Sequence, residues 1–254
     1  MIHRLFSRTA VVAAALWLAG PVTLDAQRGR GGPPQAQVAR EAAPIDLTGY
    51  WVSVITEDWK LRMVTPKKGV YDTLTLNAEG RRVGDSWDPA RDEAAGEQCR
   101  SYGAPAIMRV PGRLHVTWQD ANTLRIDTDA GTQTRHFHFG APQAPAGEPS
   151  WQGQSTAQWQ YGPARRGGPR SGSLKVVTTN ARAGYLRKNG APYSKDARVT
   201  EYYDLNTFPN GDTWFTVTTK VEDPVYFTRP YITTTDFKKL PDASGWNPTP
   251  CTAR

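Results

Sequence analysis

Two charged residues fall where a strand pattern places apolar ones. In residues 134–139 Phe137 and Phe139 share a face, and alternation puts Arg135 on it; in residues 198–205 Val199, Tyr203 and Leu205 share a face with Glu201. A buried ion is tolerated only when it is paired and hydrogen-bonded, so these residues either face each other or hold a polar ligand. As a structural pair they fix strand packing. As a site, Arg135 would orient a carboxylate- or enolate-like oxygen, and Glu201, its pKa set by burial and by the arginine, would serve as general base.

A second constellation is aromatic. Between Trp151 and Tyr161 the alternation puts Trp151, Gly153, Ser155, Ala157, Trp159 and Tyr161 on one face, bulky at both ends and small in the middle. Such a face either lines a hollow or receives a large side chain from a facing strand. With Trp118 and Tyr203, also on inward faces, the residues Trp151, Ser155 and Trp159 define a candidate lining for a small apolar or aromatic ligand. His115, His136 and His138 are the candidate metal ligands. The His-Phe-His spacing puts two imidazoles on one face about 7 Å apart. That face is opposite Phe137 and Phe139, and pairing Trp118 with Leu124 sets His115 across from Asp127 with Arg125 nearby, so a solvated polar face is the expectation and no metal is assigned. The chain contains no nucleophile-elbow serine motif, no P-loop and no dinucleotide fingerprint before a helix, and no cofactor is implied.

The elements that must position these residues are mostly strands. Alternation marks residues 50–56, 59–65, 73–76, 113–118, 123–128, 134–139, 151–161, 173–179, 198–205, 213–221 and 231–237, with tight turns at Asp129-Ala130-Gly131-Thr132 and Asn210-Gly211. A charged stretch from Ala78 to about Cys99 predicts helix, with Asp88 as N-cap and Pro89 at the first helical position. Two longer loops, residues 140–150 and 162–172, are rich in Pro and Gly. The pattern predicts an all-β, antiparallel barrel or sandwich of about 8–10 strands with a short helical insertion, the barrel being the preferred reading.

The chain has 254 residues and a formal charge of +7. Residues 1–26 read as a signal peptide: Arg4 and Arg8 precede an apolar run from Ala10 to Leu18, then Gly20-Pro21 and Ala26 before Gln27. Residues 27–44 have little to bury and read as a disordered tether, and residues 45–254 as a single barrel domain. No later run is apolar and long enough to span a bilayer as a helix, so the mature chain is expected to be periplasmic or secreted. Lys and Arg are scattered rather than gathered into a stripe, which argues against nucleic acid as a partner. In an oxidising compartment Cys99 and Cys251 pair naturally in a disulfide, the alternative being two buried thiols.

Gly49-Tyr50-Trp51 resembles the G-x-W opening of lipocalin-like barrels, whose tryptophan closes one end. More broadly, Cys99 to Pro105, Arg135, the Pro149-Ser150-Trp151 run with Gly153, Ser155 and Trp159, residues 174–178, Tyr193-Ser194, Thr200-Glu201, and Val221 to Pro224 with Pro230 resemble a functionally uncharacterised family of exported bacterial proteins. The resemblance implies compartment and lipocalin-like fold and implies no activity. The residue pattern itself leaves three expectations: a barrel binding a small, partly apolar ligand between Arg135 and Glu201, a cofactor-independent isomerase, lyase or hydrolase using those two groups, or a filled structural module. The oligomeric state is left open. Mass spectrometry of the native protein should find an N-terminus at Gln27 or within a few positions of it; an intact Met1 end in the cytoplasmic fraction would refute export.

Overall fold

The computed structural model describes residues 38–141, 147–163 and 171–254. The expected signal peptide, residues 27–37 of the expected tether and parts of both long loops lie outside them. The described residues belong to one compact unit.

Nine strands close into a barrel. In chain order the strands are β1 (Gly49–Val54), β2 (Arg113–Trp118), β3 (Thr123–Thr128), β4 (Gln133–Phe139), β5 (Gln154–Tyr161), β6 (Gly172–Thr179), the two-residue β7 (Gly184–Tyr185) and β8 (Pro192–Tyr193), then β9 (Arg198–Thr207), β10 (Thr213–Glu222) and β11 (Tyr231–Leu240). The barrel order is β1-β11-β10-β9-β6-β5-β4-β3-β2, while β7 and β8 form a separate hairpin. All barrel neighbours are antiparallel except β4 and β5, which run parallel with Phe137 beside Ser155 and Phe139 beside Ala157. The all-β barrel with mostly antiparallel neighbours is the one expected, with this one parallel seam added. Directions can alternate all the way round a closed ring only when the number of strands is even, so nine strands force one parallel seam. A parallel neighbour requires the chain to travel back along the barrel, which accounts for the long connection after Phe139.

Alternation sorts the side chains as the sequence implies. Trp51, Val116, Leu124, Ile126, Phe137, Leu174, Val176, Tyr203, Phe215, Val217 and Phe237 are buried and form the main core. Trp51 packs edge-on against Phe215 at 4.5 Å and donates its indole N–H to Leu47 O at 2.9 Å. The β2–β3 turn lies at one end of the barrel and the β3–β4 turn at the other. Residues 38–47 cover the first end: Ala39 N–H donates to Asn122 Oδ1 and Arg40 N–H to Ala121 O. Residues 38–44, expected to belong to the tether, are packed because Trp159 and Tyr161 donate to the carbonyls of Ala39 and Ala42.

The opposite end is closed by residues 101–109, every one of them buried. This segment contains two 3-10 turns, Gln98–Tyr102 and Ile107–Arg109, and sends Tyr102, Ile107 and Met108 into the main core. Gly131 has φ +77° and lies against the Tyr102 ring, where a Cβ would collide with it. Besides the helical turn α1 (Trp59–Arg62), the expected helical insertion supplies α2 (Ala78–Asp85) and α3 (Pro89–Ala94). Asn77 caps α2 through Gly80 N–H, and Asp88 caps α3 with Pro89 following, as expected. Tyr71, Leu74, Leu76, Leu186, Tyr193 and Phe227 join Val199, Val221 and Tyr231 in a second core. No helix among the described residues is long and apolar enough to cross a membrane.

Three expected strands differ. Residues 59–65 alternate, yet both edges of β1 are already taken by β2 and β11, and the segment begins with the helical turn α1, leaving Trp59, Met63 and Val64 exposed. Residues 73–76 make a single bridge, Leu76 to Phe227. The strand expected from Trp151 starts at Gln154, because Gly153 turns at φ +59° with Thr179 O where a Cβ would stand.

Cys99 and Cys251 form a disulfide across 152 residues, fastening the C-terminal segment to the plug. The double variant Cys99→Ser/Cys251→Ser should keep the barrel, as judged by far-ultraviolet circular dichroism, and lose about 2–5 kcal/mol in denaturant unfolding. A variant as stable as the parent would show that the crosslink does not constrain the unfolded chain.

Candidate functional site

Alternation on β4 and β9 brings Arg135 and Glu201 together inside the barrel, across the two strands β5 and β6 that separate them in the sheet. The contact is bidentate: Arg135 Nη1 donates to Glu201 Oε1 at 2.9 Å and Nη2 to Oε2 at 2.6 Å. Both side chains have zero exposure. Nη2 also reaches Thr178 Oγ1 at 3.4 Å, Thr178 shares a 2.7 Å hydrogen bond with Ser155, and the guanidinium lies 4.8 Å from the Phe137 ring centre. Burial alone would lower the Arg135 pKa, but the adjoining Glu201 carboxylate outweighs it and the pKa is raised. Burial, then Glu201, push the Tyr203 hydroxyl well above the usual phenol range. Arg135 Nε, Thr219 Oγ1 and Thr235 Oγ1 are buried without a hydrogen-bond partner among the described residues.

This arrangement is a cross-brace. Each carboxylate oxygen accepts from Arg135, and the surrounding interior includes Phe137, Tyr203, Phe215 and Phe237.

The five aromatic and hydroxyl candidates do not share one cavity. Trp118 and Trp159 meet Phe139 at one barrel end, with centroids 5.6 and 5.0 Å from Phe139, beneath residues 38–47. Tyr203 packs between Phe137 and Phe215. Ser155 points inward to Thr178. Trp151 lies outside the strand, its ring 4.1 Å from the Arg182 guanidinium. Of the histidines, His115 stands apart, stacked on Tyr50 at 4.1 Å, while His136 and His138 lie 6.2 Å apart on β4 and line one cleft with Trp151 and Ser155. Burial, His138 and Arg125 lower the His136 pKa. Among the described residues no group of three or more His, Cys, Asp or Glu is arranged to hold a metal ion.

A site that alternation does not mark lies outside the plugged end. A cleft of about 480 Å³ opens between residues 61–66, the plug and its exit at residues 101–111, residues 186–188 and residues 249–252. Its walls combine Leu61, Met63, Val110, Leu186 and Pro250 with the cationic side chains Arg62, Arg109, Arg187 and Lys188. The disulfide holds one wall, since Pro250 and Thr252 flank Cys251. Arg62 Nη1 pairs with Glu57 at 2.6 Å, and Arg109 Nη2 pairs with Asp58 at 2.9 Å. Tyr102 forms part of the floor, with Lys188 Nζ 4.8 Å from its ring centre. Burial would raise the Tyr102 pKa, yet hydrogen bonding to Lys188 and Thr252 prevails and lowers it. These residues come from four distant segments with no common motif. The legible trace was the small and apolar run Gly103 to Met108 in an otherwise polar stretch.

The chain matches no protein-family model, no curated protein and no solved structure.

The cross-brace gives a coupling test. Arg135→Met or Glu201→Leu alone should cost about 3–5 kcal/mol in urea unfolding by stranding a buried charge, whereas the double variant should recover part of that loss. Additive single costs would show that the two residues do not act as a pair.

Proposed function

We infer that this is an exported lipocalin-like barrel that binds a small, partly apolar molecule, and that the ligand occupies the external cleft rather than the barrel interior. The observation carrying this reading is the contrast between the two places. The interior is filled and its charges are locked together, while the cleft has an apolar wall, convergent polar groups and a volume in the range of small-molecule sites. The disulfide accords with a compartment outside the cytoplasm.

Binding is favoured over catalysis by the character of the lining. Among the described residues the cleft presents no carboxylate, histidine or cysteine, so its hydroxyl and amine groups, Ser101, Tyr102 and Lys188 among them, have no such base beside them in its walls. Tyr102, with its lowered pKa beside Lys188, is the one group there suited to proton transfer and supports an enzymatic second reading.

A neutral solvatochromic dye, Nile red, should bind saturably with 1:1 stoichiometry. Met63 is 60% exposed, so Met63→Asp should leave the fold intact while weakening dye binding about tenfold. Dye affinity unchanged by Met63→Asp, or absent in the parent, would overturn the cleft assignment.

A further inference from the structure

The geometry points to an anion as the group the cleft recognises: a carboxylate or phosphate monoester at the end of a partly apolar molecule, anchored by Arg62. This deepens the binding reading and rests on it.

Arg62 is the central observation. Its side chain is 2% exposed, yet it lines the cleft. Nη1 donates to Glu57 and Nε donates to Arg109 O at 3.1 Å, leaving Nη2 buried with no hydrogen-bond partner. A guanidinium presents its donors in a planar fork matched to two oxygens of one anion, and Nη2 is the unused prong. Burial lowers the Arg62 pKa, and the Glu57 carboxylate offsets this only in part against the repulsion of Arg109. Burial is thus the main influence on it, while Glu57 and, more weakly, Asp236 supply negative charge nearby.

The neighbouring cations are Arg109, Arg187 and Lys188. Glu57 is already shared, standing 3.7 Å from Arg109 as well as 2.6 Å from Arg62. Arg187 donates to neutral acceptors, Asp72 O and Thr73 Oγ1, whereas Lys188 donates to Thr252 Oγ1 and, at 3.5 Å, to an oxygen of the Arg254 terminal carboxyl group. The acids nearest Arg62 and Arg109 are Glu57 and Asp58, and neither lines the cleft. An anion entering the cleft would meet cations from three segments and, among the described lining residues, no side-chain carboxylate, while the apolar wall at Leu61, Met63 and Val110 would receive a hydrocarbon body.

Isothermal titration calorimetry on the disulfide-intact protein, with decanoate, decanol and inorganic phosphate below any micellar concentration, separates the components. Decanoate should bind 1:1 at least about tenfold more tightly than decanol, and the preference should shrink as salt rises. Arg62→Gln should abolish that preference while leaving decanol affinity in place, and Arg187→Gln, on a separate segment, should reduce it if the Arg62 variant fails to fold. Phosphate binding as tight as decanoate would mark a free-anion site and overturn the amphiphile class. Equal affinity for decanoate and decanol in the parent would overturn the anion assignment and leave the cleft-binding reading standing, whereas no binding of any probe, Nile red included, would remove both.

Discussion

The buried contact between Arg135 and Glu201 is the constraint around which the barrel is built. Removing two charges from water is expensive, and the cost is recovered only when geometry is good and the remaining donors and acceptors are met. The bidentate contact meets the geometric requirement by joining β4 to β9 across the barrel, with Thr178 and Ser155 on the intervening strands adding hydroxyl contacts. A slip of one residue on either strand would turn one charge outward and leave the other stranded, so the pair also specifies register.

Closing the interior around a charge pair has consequences at both ends. Water reaching the pair would compete for the same hydrogen bonds, and both ends are covered: one by residues 38–47 over Trp118, Phe139 and Trp159, the other by the buried run of residues 101–109. The plug is itself held by the disulfide and by Gly131, whose lack of a side chain admits the Tyr102 ring. Chain that would otherwise be loose thus becomes rigid, and its outer surface with residues 61–66 and the C-terminal segment makes a shaped cleft. Closing this end of the barrel and forming the external cleft are two sides of one packing solution.

Much of this was readable from residue order because strand periodicity is local. Parity placed Arg135 with Phe137 and Glu201 with Tyr203, the pairing of Trp118 with Leu124 was legible, and Asp88-Pro89 announced a helix start. The same local rule misread residues 59–65, since a short alternating run becomes a strand only if a free strand edge awaits it, and β1 is paired on both sides. It also carried the fifth strand back through Trp151, where Gly153 turns the chain against Thr179.

The sequence by itself determined the β character of the chain, the inward charges, the helical insertion and the two cysteines able to pair. Tertiary structure decided the nine-strand closure with its parallel seam, the choice of a locked ion pair over an open lumen, and the meeting of Arg62, Arg109, Arg187 and Lys188 beside Pro250. The division has a physical cause. Face and period are written in neighbouring residues, whereas strand number, cavity filling and the convergence of distant cations follow from how the whole chain packs at once.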